Sequence, residues 1–115
     1  MTLDQLGAST SCLAGSTLES AVGQVHKLGF RGIGLLAYPN TRSIHGDLPG
    51  FWFHQMSEEE REALKSLVAG FQRCAIHAPF ADHPLFSYDP RVEQLSQDRV
   101  EEAVDAASFL GAQVV

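Results

Sequence analysis

The chain has 115 residues, of which 44% are hydrophobic and 19% are charged. This balance is typical of one globular domain and excludes a disordered chain or a coiled coil. No apolar stretch reaches the ~20 residues that span a bilayer, and a formal net charge of −6 disfavours binding to nucleic-acid phosphates. We therefore expect neither a membrane nor a nucleic-acid partner. Because the N-terminus lacks the pattern of a signal peptide, we expect a cytoplasmic location.

Short apolar runs alternate with amphipathic runs along the first half of the chain. A first strand is predicted at 6–9, and residues 16–19 (Ser-Thr-Leu-Glu) match a capping box that starts a first helix. Gly29 is placed to end that helix. A second strand is predicted at 33–36. A long polar and aromatic segment follows at 38–56, and connections of this length are often functional.

The second half of the chain repeats the pattern. Residues 57–60 (Ser-Glu-Glu-Glu) form another capping box, a third strand is predicted at 74–77, and a second long loop follows at 78–89. Pro90 suits the first turn of a third helix, and a fourth strand is predicted at 112–115. In the third helix, the apolar residues predicted to face inward are Val92, Leu95, Val100, Ala103, Val104, Ala107 and Leu110, and the acidic residues predicted to face water are Asp98, Glu101, Glu102 and Asp105.

This order of elements predicts an α/β fold with parallel strands joined by helical crossovers. Two architectures are consistent with it, a (β/α)8 TIM barrel and an open parallel α/β sheet. The barrel is favoured because both long loops follow strands, at the face where barrel active sites lie. A barrel needs about 250 residues. We therefore expect residues 1–115 to form a single domain that is the N-terminal half of a longer barrel, the alternative being a complete four-stranded domain.

His77 is the residue that indicates chemistry most directly. It ends the third strand, and if Ile76 packs against the helices, then His77 faces the mouth of the barrel. An imidazole there can bind a divalent metal through one nitrogen while a hydrogen-bond acceptor orients the other. The alternative is a core histidine that bonds to the backbone.

Residues 75–80 (Ala-Ile-His-Ala-Pro-Phe) resemble the His-Ala-Pro-aromatic segment of the xylose-isomerase-like TIM barrels. Three further segments resemble the same superfamily. Residues 6–10 resemble its first strand, residues 28–33 the entry to its second strand, and residues 103–115 its third helix with the start of strand four. The superfamily includes sugar and sugar-phosphate isomerases and epimerases, and apurinic-site endonucleases. The resemblance implies a barrel fold and a divalent metal (Mn, Mg, Zn or Co) with His77 as one ligand.

The strand ends and long loops add candidates for substrate binding. The predicted substrate-binding residues are Ser9, His45, Trp52, His54, Asp82 and His83. Aromatic groups over a barrel mouth could stack on a sugar ring and exclude water. Equally, residues 51–53 (Phe-Trp-Phe) could be a hydrophobic plug, Asp82 and His83 ordinary surface turn residues, and Ser9 a strand-end serine.

The resemblance implies that the parent protein is a sugar or sugar-phosphate isomerase or epimerase, in which a metal polarises a hydroxy-ketone and carboxylates move a proton. The remaining ligands and acids would lie beyond Val115, so the chain alone is expected to be inactive.

One departure from the superfamily pattern is Gly34, where many relatives carry a glutamate. Two alternatives remain. One is a metal-dependent endonuclease acting at apurinic sites, and the other is a non-catalytic α/β domain that forms homo-oligomers through open barrel edges. The sequence identifies neither the substrate nor the metal.

Overall fold

A three-stranded parallel sheet organises the chain in a computed structural model that describes residues 2–41 and 43–115. The strands lie side by side in the order β1-β2-β3, and both pairings are parallel. The strands are β1 (Gly7–Ser9), β2 (Gly32–Leu36) and β3 (Arg73–His77), and the helices are α1 (Leu18–Lys27), α2 (Glu58–Val68) and α3 (Pro90–Leu110). The predicted alternation of parallel strands and helices is confirmed.

The two faces of this sheet have different environments. One face contributes Ile33, Leu35 and Ile76 to the buried core, together with apolar side chains of all three helices. The opposite face carries small side chains in register, with Ser9 opposite Gly34 and Gly34 opposite Ala75. Those three residues are only partly buried. In a closed barrel, side chains on this second face point toward the interior.

Hydroxyl and carboxyl side chains start the helices. The Ser57 hydroxyl accepts from the Glu60 backbone N–H at 3.2 Å and the Glu60 carboxylate accepts from the Ser57 N–H at 2.7 Å, which confirms the predicted capping box of α2. For α1 the predicted box is wrong, because Thr17 is the cap and its hydroxyl accepts from the Ser20 N–H at 3.2 Å. Asp89 caps α3, directly before a proline in the first turn.

Helix α3 departs from its predicted inward and outward faces. Leu95 and Val104, predicted to face inward, are 47% and 50% exposed, whereas Glu102, predicted to face water, is 2% exposed. The reason for the last difference is the segment at 38–56, which folds against α3 and offers a backbone N–H of His54 to the Glu102 carboxylate. Although α3 has 21 residues, no helix in the described part of the chain is both long and apolar enough to cross a membrane.

The residues after α3 lie where the fourth strand is predicted. Gln113 donates its backbone N–H to the Cys74 carbonyl at 3.0 Å, and Ile76 donates to the Val114 carbonyl at 2.9 Å. These bonds form a single parallel bridge between Ala75 and Val114. The predicted direction and place are therefore correct, although the pairing is shorter than a strand.

Candidate active site at the carboxyl ends of the strands

His77 lies at the carboxyl end of β3, on the face of the sheet that turns away from the helices. Side chains alternate between the two faces of a strand, so His77 lies on the face opposite to Cys74 and Ile76. Those two residues are buried in the core, whereas His77 is exposed. Its Nδ1 lies 2.8 Å from the carbonyl oxygen of Ala78. Because a carbonyl can only accept, Nδ1 carries the proton, and Nε2 of the neutral ring is left as an acceptor or metal ligand.

A pocket of about 420 Å³ opens beside His77 and reaches all three strands. We call it the strand-end pocket; it is lined by Ser9, Gly34, Ala75, Ile76, His77, Ala78 and Val115. The Ser9 hydroxyl is already engaged there, since it accepts from the Ser11 N–H at 3.2 Å and lies 2.8 Å from the Ser11 hydroxyl. A Cβ added to Gly34 would meet Ser9 at ordinary contact distance, 3.6 Å.

A second concavity, of about 350 Å³, lies between the loops that follow β2 and β3. We call it the loop cleft; it is lined by Tyr38, Pro39, Asn40, Thr41, Trp52, Pro79, Ala81, Asp82 and His83. The Trp52 and His83 rings lie 6.2 Å apart, centroid to centroid. The Nδ1 of His83 lies 2.8 Å from the Ala81 carbonyl oxygen, so its Nε2, like that of His77, is available as an acceptor.

Tyr38 joins the loop cleft to His77. Its ring meets the His77 imidazole edge to face at 5.8 Å and the Phe80 ring at 6.3 Å. Partial burial raises the pKa of the Tyr38 phenol above its ordinary value. The neutral phenol therefore persists at physiological pH and remains able to donate a hydrogen bond.

The segment at 38–56 is tied to the sheet by its backbone. Phe51 donates its N–H to the Leu36 carbonyl at 3.1 Å, and the fully buried Thr10 donates its hydroxyl to the Pro49 carbonyl at 3.2 Å. Phe51 and Phe53 are each 5% exposed, whereas Trp52 between them lines the loop cleft. The two phenylalanines therefore plug the loop and the tryptophan faces the cleft, while the stacking of Trp52 on a sugar stays a prediction.

Asp82 has an unusual backbone conformation, with φ of 62°. Aspartate tolerates this left-handed region better than most residues, but it is uncommon outside glycine. Such conformations are frequent at ligand-binding and catalytic sites. Asp82 lies in the loop cleft beside His83, which is consistent with a binding role for this turn.

Two predicted substrate-binding histidines line neither the strand-end pocket nor the loop cleft. The Nε2 of His54 lies 2.9 Å from Oδ2 of Asp105 on α3, so this imidazole forms part of the contact between loop and helix. His45 is exposed and donates its backbone N–H to the Ser43 hydroxyl at 3.2 Å. Of the predicted residues, the structure brings Trp52, Asp82 and His83 together, with Ser9 and His77 in the adjoining pocket.

Comparison with known proteins places this geometry in a fold. No protein-family model and no curated protein matches the sequence. Similar solved structures include a D-tagatose 3-epimerase-like protein, at 20% identity and a TM-score of 0.66, and D-psicose 3-epimerase in the presence of D-fructose, at 17% identity and a TM-score of 0.66. Each match covers 94% of this chain and 35% of the solved chain, so the sequence spans about a third of their length.

The chain has the fold of part of a TIM barrel, as in these two solved structures. The predicted barrel architecture is thus confirmed, and the open-sheet alternative is set aside. In TIM barrels the active site lies at the carboxyl ends of the strands. His77, Ser9 and the loop cleft all lie at that end of this sheet.

The described part of this barrel fold offers one well-placed candidate metal ligand. His77 has the arrangement typical of ligating histidines, with one ring nitrogen bonded to a backbone carbonyl and the other available. Among residues 2–41 and 43–115, no group of three or more His, Cys, Asp or Glu side chains lies close enough to hold a metal ion. A metal at His77 would therefore need its other ligands from elsewhere in a barrel.

Sequence reasoning missed Tyr38, Arg99 and Glu102, three residues that build or support the loop cleft. Tyr38 directly follows the second strand, a position from which TIM barrels commonly recruit site residues, so its place could have indicated a role. Arg99 and Glu102 are three residues apart on one helix and read as an ordinary surface ion pair. Their burial depends on the fold of a distant loop, which no local pattern in the sequence reveals.

Proposed function

We propose that the protein carrying this chain is a sugar or sugar-phosphate isomerase or epimerase, with this chain as the N-terminal part of its barrel. The observation that carries the proposal is the meeting of His77 and the loop cleft at the carboxyl end of the sheet, joined by Tyr38. This is the end at which TIM barrels perform catalysis. The similar solved structures, a D-tagatose 3-epimerase-like protein and D-psicose 3-epimerase, support the same reaction class.

The loop cleft has the chemistry that a polyhydroxy substrate requires. Trp52 presents an indole on which the apolar face of a sugar can stack. The Asp82 carboxylate and Nε2 of His83 are acceptors for hydroxyl groups, and the Tyr38 phenol is a donor. An apolar wall with a few placed polar groups is the usual composition of a small-molecule site.

His77 fits the role of one metal ligand in this proposal. Its Nε2 is available, and the bond from Nδ1 to the Ala78 carbonyl fixes the ring orientation. A divalent metal, when bound, polarises the carbonyl of a hydroxy-ketone. An imidazole ligand suits Zn better than the harder Mg or Mn, which favour oxygen ligands, and the proposal does not choose among Mn, Mg, Zn and Co. The proton-transferring carboxylates would come from the rest of the barrel, so the 115-residue chain alone is expected to bind sugar without converting it.

Titration of the full chain with D-fructose tests the binding half of the proposal. Trp52 is the only tryptophan in the sequence, so its fluorescence reports directly on the loop cleft. We expect saturable quenching by the sugar. Asp82→Asn should weaken binding about tenfold, since hydrogen bonds to charged groups contribute about 1.5–3 kcal/mol, and His83→Ala about fivefold, since a neutral hydrogen bond contributes about 1 kcal/mol. His26→Ala, on α1 and packed against Phe71, is the matched control and should bind normally. Sugar binding that is indifferent to both cleft substitutions would contradict the proposal.

The metal-dependent half requires the protein in which the barrel is complete. There we expect interconversion of ketohexose epimers that depends on an added divalent metal. His77→Ala should lower metal affinity at least about tenfold, because loss of a well-oriented ligand weakens a metal site by that order or more. His26→Ala should leave both metal affinity and turnover unchanged. Cleavage of DNA containing apurinic sites, with no effect on sugars, would instead support the endonuclease alternative.

A second candidate function is self-association through the sheet. A concavity of about 510 Å³ crosses all three strands of the sheet and reaches the segment after α3. The strand order ends with β1, so its outer edge has no strand partner among the described residues. An unpaired edge of this kind can pair with a second copy. Light scattering of the chain in solution decides the question, since a monomer across the micromolar range would exclude it.

A further inference from the structure

Arg99 of α3 packs against the indole of Trp52, in the wall of the loop cleft. The guanidinium carbon lies 4.3 Å from the centroid of the Trp52 ring, which is the geometry of a cation–π contact. This contact covers one face of the indole. A ligand in the loop cleft can therefore reach only the other face or the edge of the ring.

Glu102 holds both Arg99 and the backbone next to Trp52. Its Oε2 lies 2.6 Å from Nη1 of Arg99, and its Oε1 accepts the backbone N–H of His54 at 2.8 Å. The Glu102 side chain is 3% exposed and the Arg99 side chain is 26% exposed. The Glu102 carboxylate thus restrains the Trp52 indole through Arg99. It also restrains the backbone at His54, two residues after Trp52.

The burial of this pair indicates a specific role. A buried carboxylate loses its hydration and is stabilised only by good partners, and an apolar residue at the same place is often no less stabilising. Next to Glu102 on α3, Ala103 is fully buried, so a small apolar residue suits this helix. In addition, Nε of Arg99 is buried without a hydrogen-bond partner among the described residues. Hydrogen bonding alone therefore does not explain the pose of Arg99, whereas stacking on Trp52 does.

We infer that Arg99, held by Glu102, is a positioning residue that fixes the Trp52 indole as the sugar-stacking wall of the loop cleft. The identity of the ligand in this inference rests on the proposed function, whereas the positioning of Trp52 by Arg99 does not. Arg99 acts through Trp52 and is not assigned a contact with substrate.

Acrylamide quenching of Trp52 in the sugar-free full chain tests the positioning directly. Loss of the guanidinium group uncovers part of one ring face, so Arg99→Met should raise the quenching constant about twofold. Arg99→Lys, which keeps a cation, should give a smaller rise. Arg91→Met, the same substitution at an exposed arginine of α3, should match the wild type. If Arg99→Met does not fold, Arg99→Lys and Glu102→Gln provide the same comparison. Quenching in the folded Arg99 and Glu102 variants that equals the wild type would overturn the inference.

Titration with D-fructose tests the functional consequence. Arg99→Met should lower the sugar affinity, measured from the change in Trp52 emission, about fivefold. This is in keeping with the usual strength of a partly desolvated cation–π contact. Arg99→Lys should restore part of this loss and Arg91→Met should show none. Unchanged sugar affinity in Arg99→Met would overturn the functional part of the inference. A wild-type chain whose emission ignores the sugar would count against the proposed function, and the quenching comparison would still decide the positioning role.

Discussion

The Tyr38 ring meets the His77 imidazole edge to face, with centroids 5.8 Å apart and planes at 75°. This contact connects the loop after β2 to the end of β3, the two segments from which the candidate site is built. Edge-to-face pairs contribute about 0.5–1.5 kcal/mol beyond the area they bury. The orientation of His77 therefore depends on Tyr38 as well as on its own bond to Ala78.

The Tyr38 phenol should make the free energy of unfolding fall at alkaline pH. Because burial raises its pKa above the ordinary value of about 10, the folded chain favours the neutral phenol. This contribution is complete below the unfolded pKa and is lost as pH rises through the raised folded pKa. We expect Tyr38→Phe to show a shallower fall in the free energy of unfolding than the wild type as the pH rises from the unfolded pKa, about 10, to the folded pKa. Tyr88→Phe, at a fully exposed tyrosine, should behave as the wild type. Identical slopes for all three proteins in urea denaturation would contradict the assignment.

Gly50 leaves no room for a side chain against the backbone of Tyr38. A Cβ at this position would overlap the carbonyl oxygen of Tyr38, which is backbone and cannot move aside cheaply. We expect Gly50→Ala to lower the free energy of unfolding by about 2 kcal/mol, the usual cost of overpacking. Gly23→Ala is the matched control, since nothing lies within 4 Å of a Cβ there and the site is within α1. It should raise stability by about 0.5–1 kcal/mol. Denaturation of both variants should therefore give opposite signs.

The two cysteines should differ strongly in reactivity. Cys12 is exposed and Cys74 is buried, and both are free thiols. Burial raises the pKa of the Cys74 thiol from 9.0 to about 11, so at neutral pH it holds about 100-fold less thiolate than an unshifted thiol. We expect a thiol reagent to modify one cysteine quickly and the second only on unfolding. In Cys12→Ser the fast phase should disappear. A fast phase that survives this substitution would show that Cys74 is accessible.

The left-handed turn at Asp82 should be visible in stability measurements. Alanine at φ of 62° meets the steric cost of this region, so Asp82→Ala should lose about 1 kcal/mol. Asp82→Gly, which has no Cβ, should be at least as stable as the wild type, and Asp82→Asn should differ little. Chemical denaturation of the three variants tests the backbone conformation independently of sugar binding. Equal stabilities for alanine and glycine would rule out this conformation.

Much of the fold follows from local patterns in the sequence. The capping box at Ser57, the proline at the start of α3 and the apolar alternation of β3 each act over a few residues, and each prediction from them agrees with the structure. The parallel order of strands follows in turn from the alternation of elements. The start of α1 was misplaced by one residue because Ser16 and Thr17 are both good caps, and local sequence hardly distinguishes them.

The candidate site was predictable only where strand geometry decides it. His77 faces away from the helices because side chains alternate along β3, which the sequence shows. The partners of Trp52 and His54 depend on how a 19-residue segment, 38–56, folds over α3. Glu102 is therefore predicted to face water, although a long-range bond from the His54 N–H and a local pair with Arg99 bury it. Long loops carry little periodic information, so their tertiary contacts remain beyond pattern analysis.

The buried carboxylate of Glu102 has a consequence for engineering. One wall of the loop cleft belongs to the segment after β2, but its support belongs to α3, some fifty positions later in the chain. Transplanting that segment into another barrel would therefore carry over Trp52 without the residues that hold its indole still. A graft intended to preserve the shape of the cleft should include Arg99 and Glu102 as a unit, and an exchange of α3 alone should displace the indole even though the helix supplies no residue to the lining of the cleft.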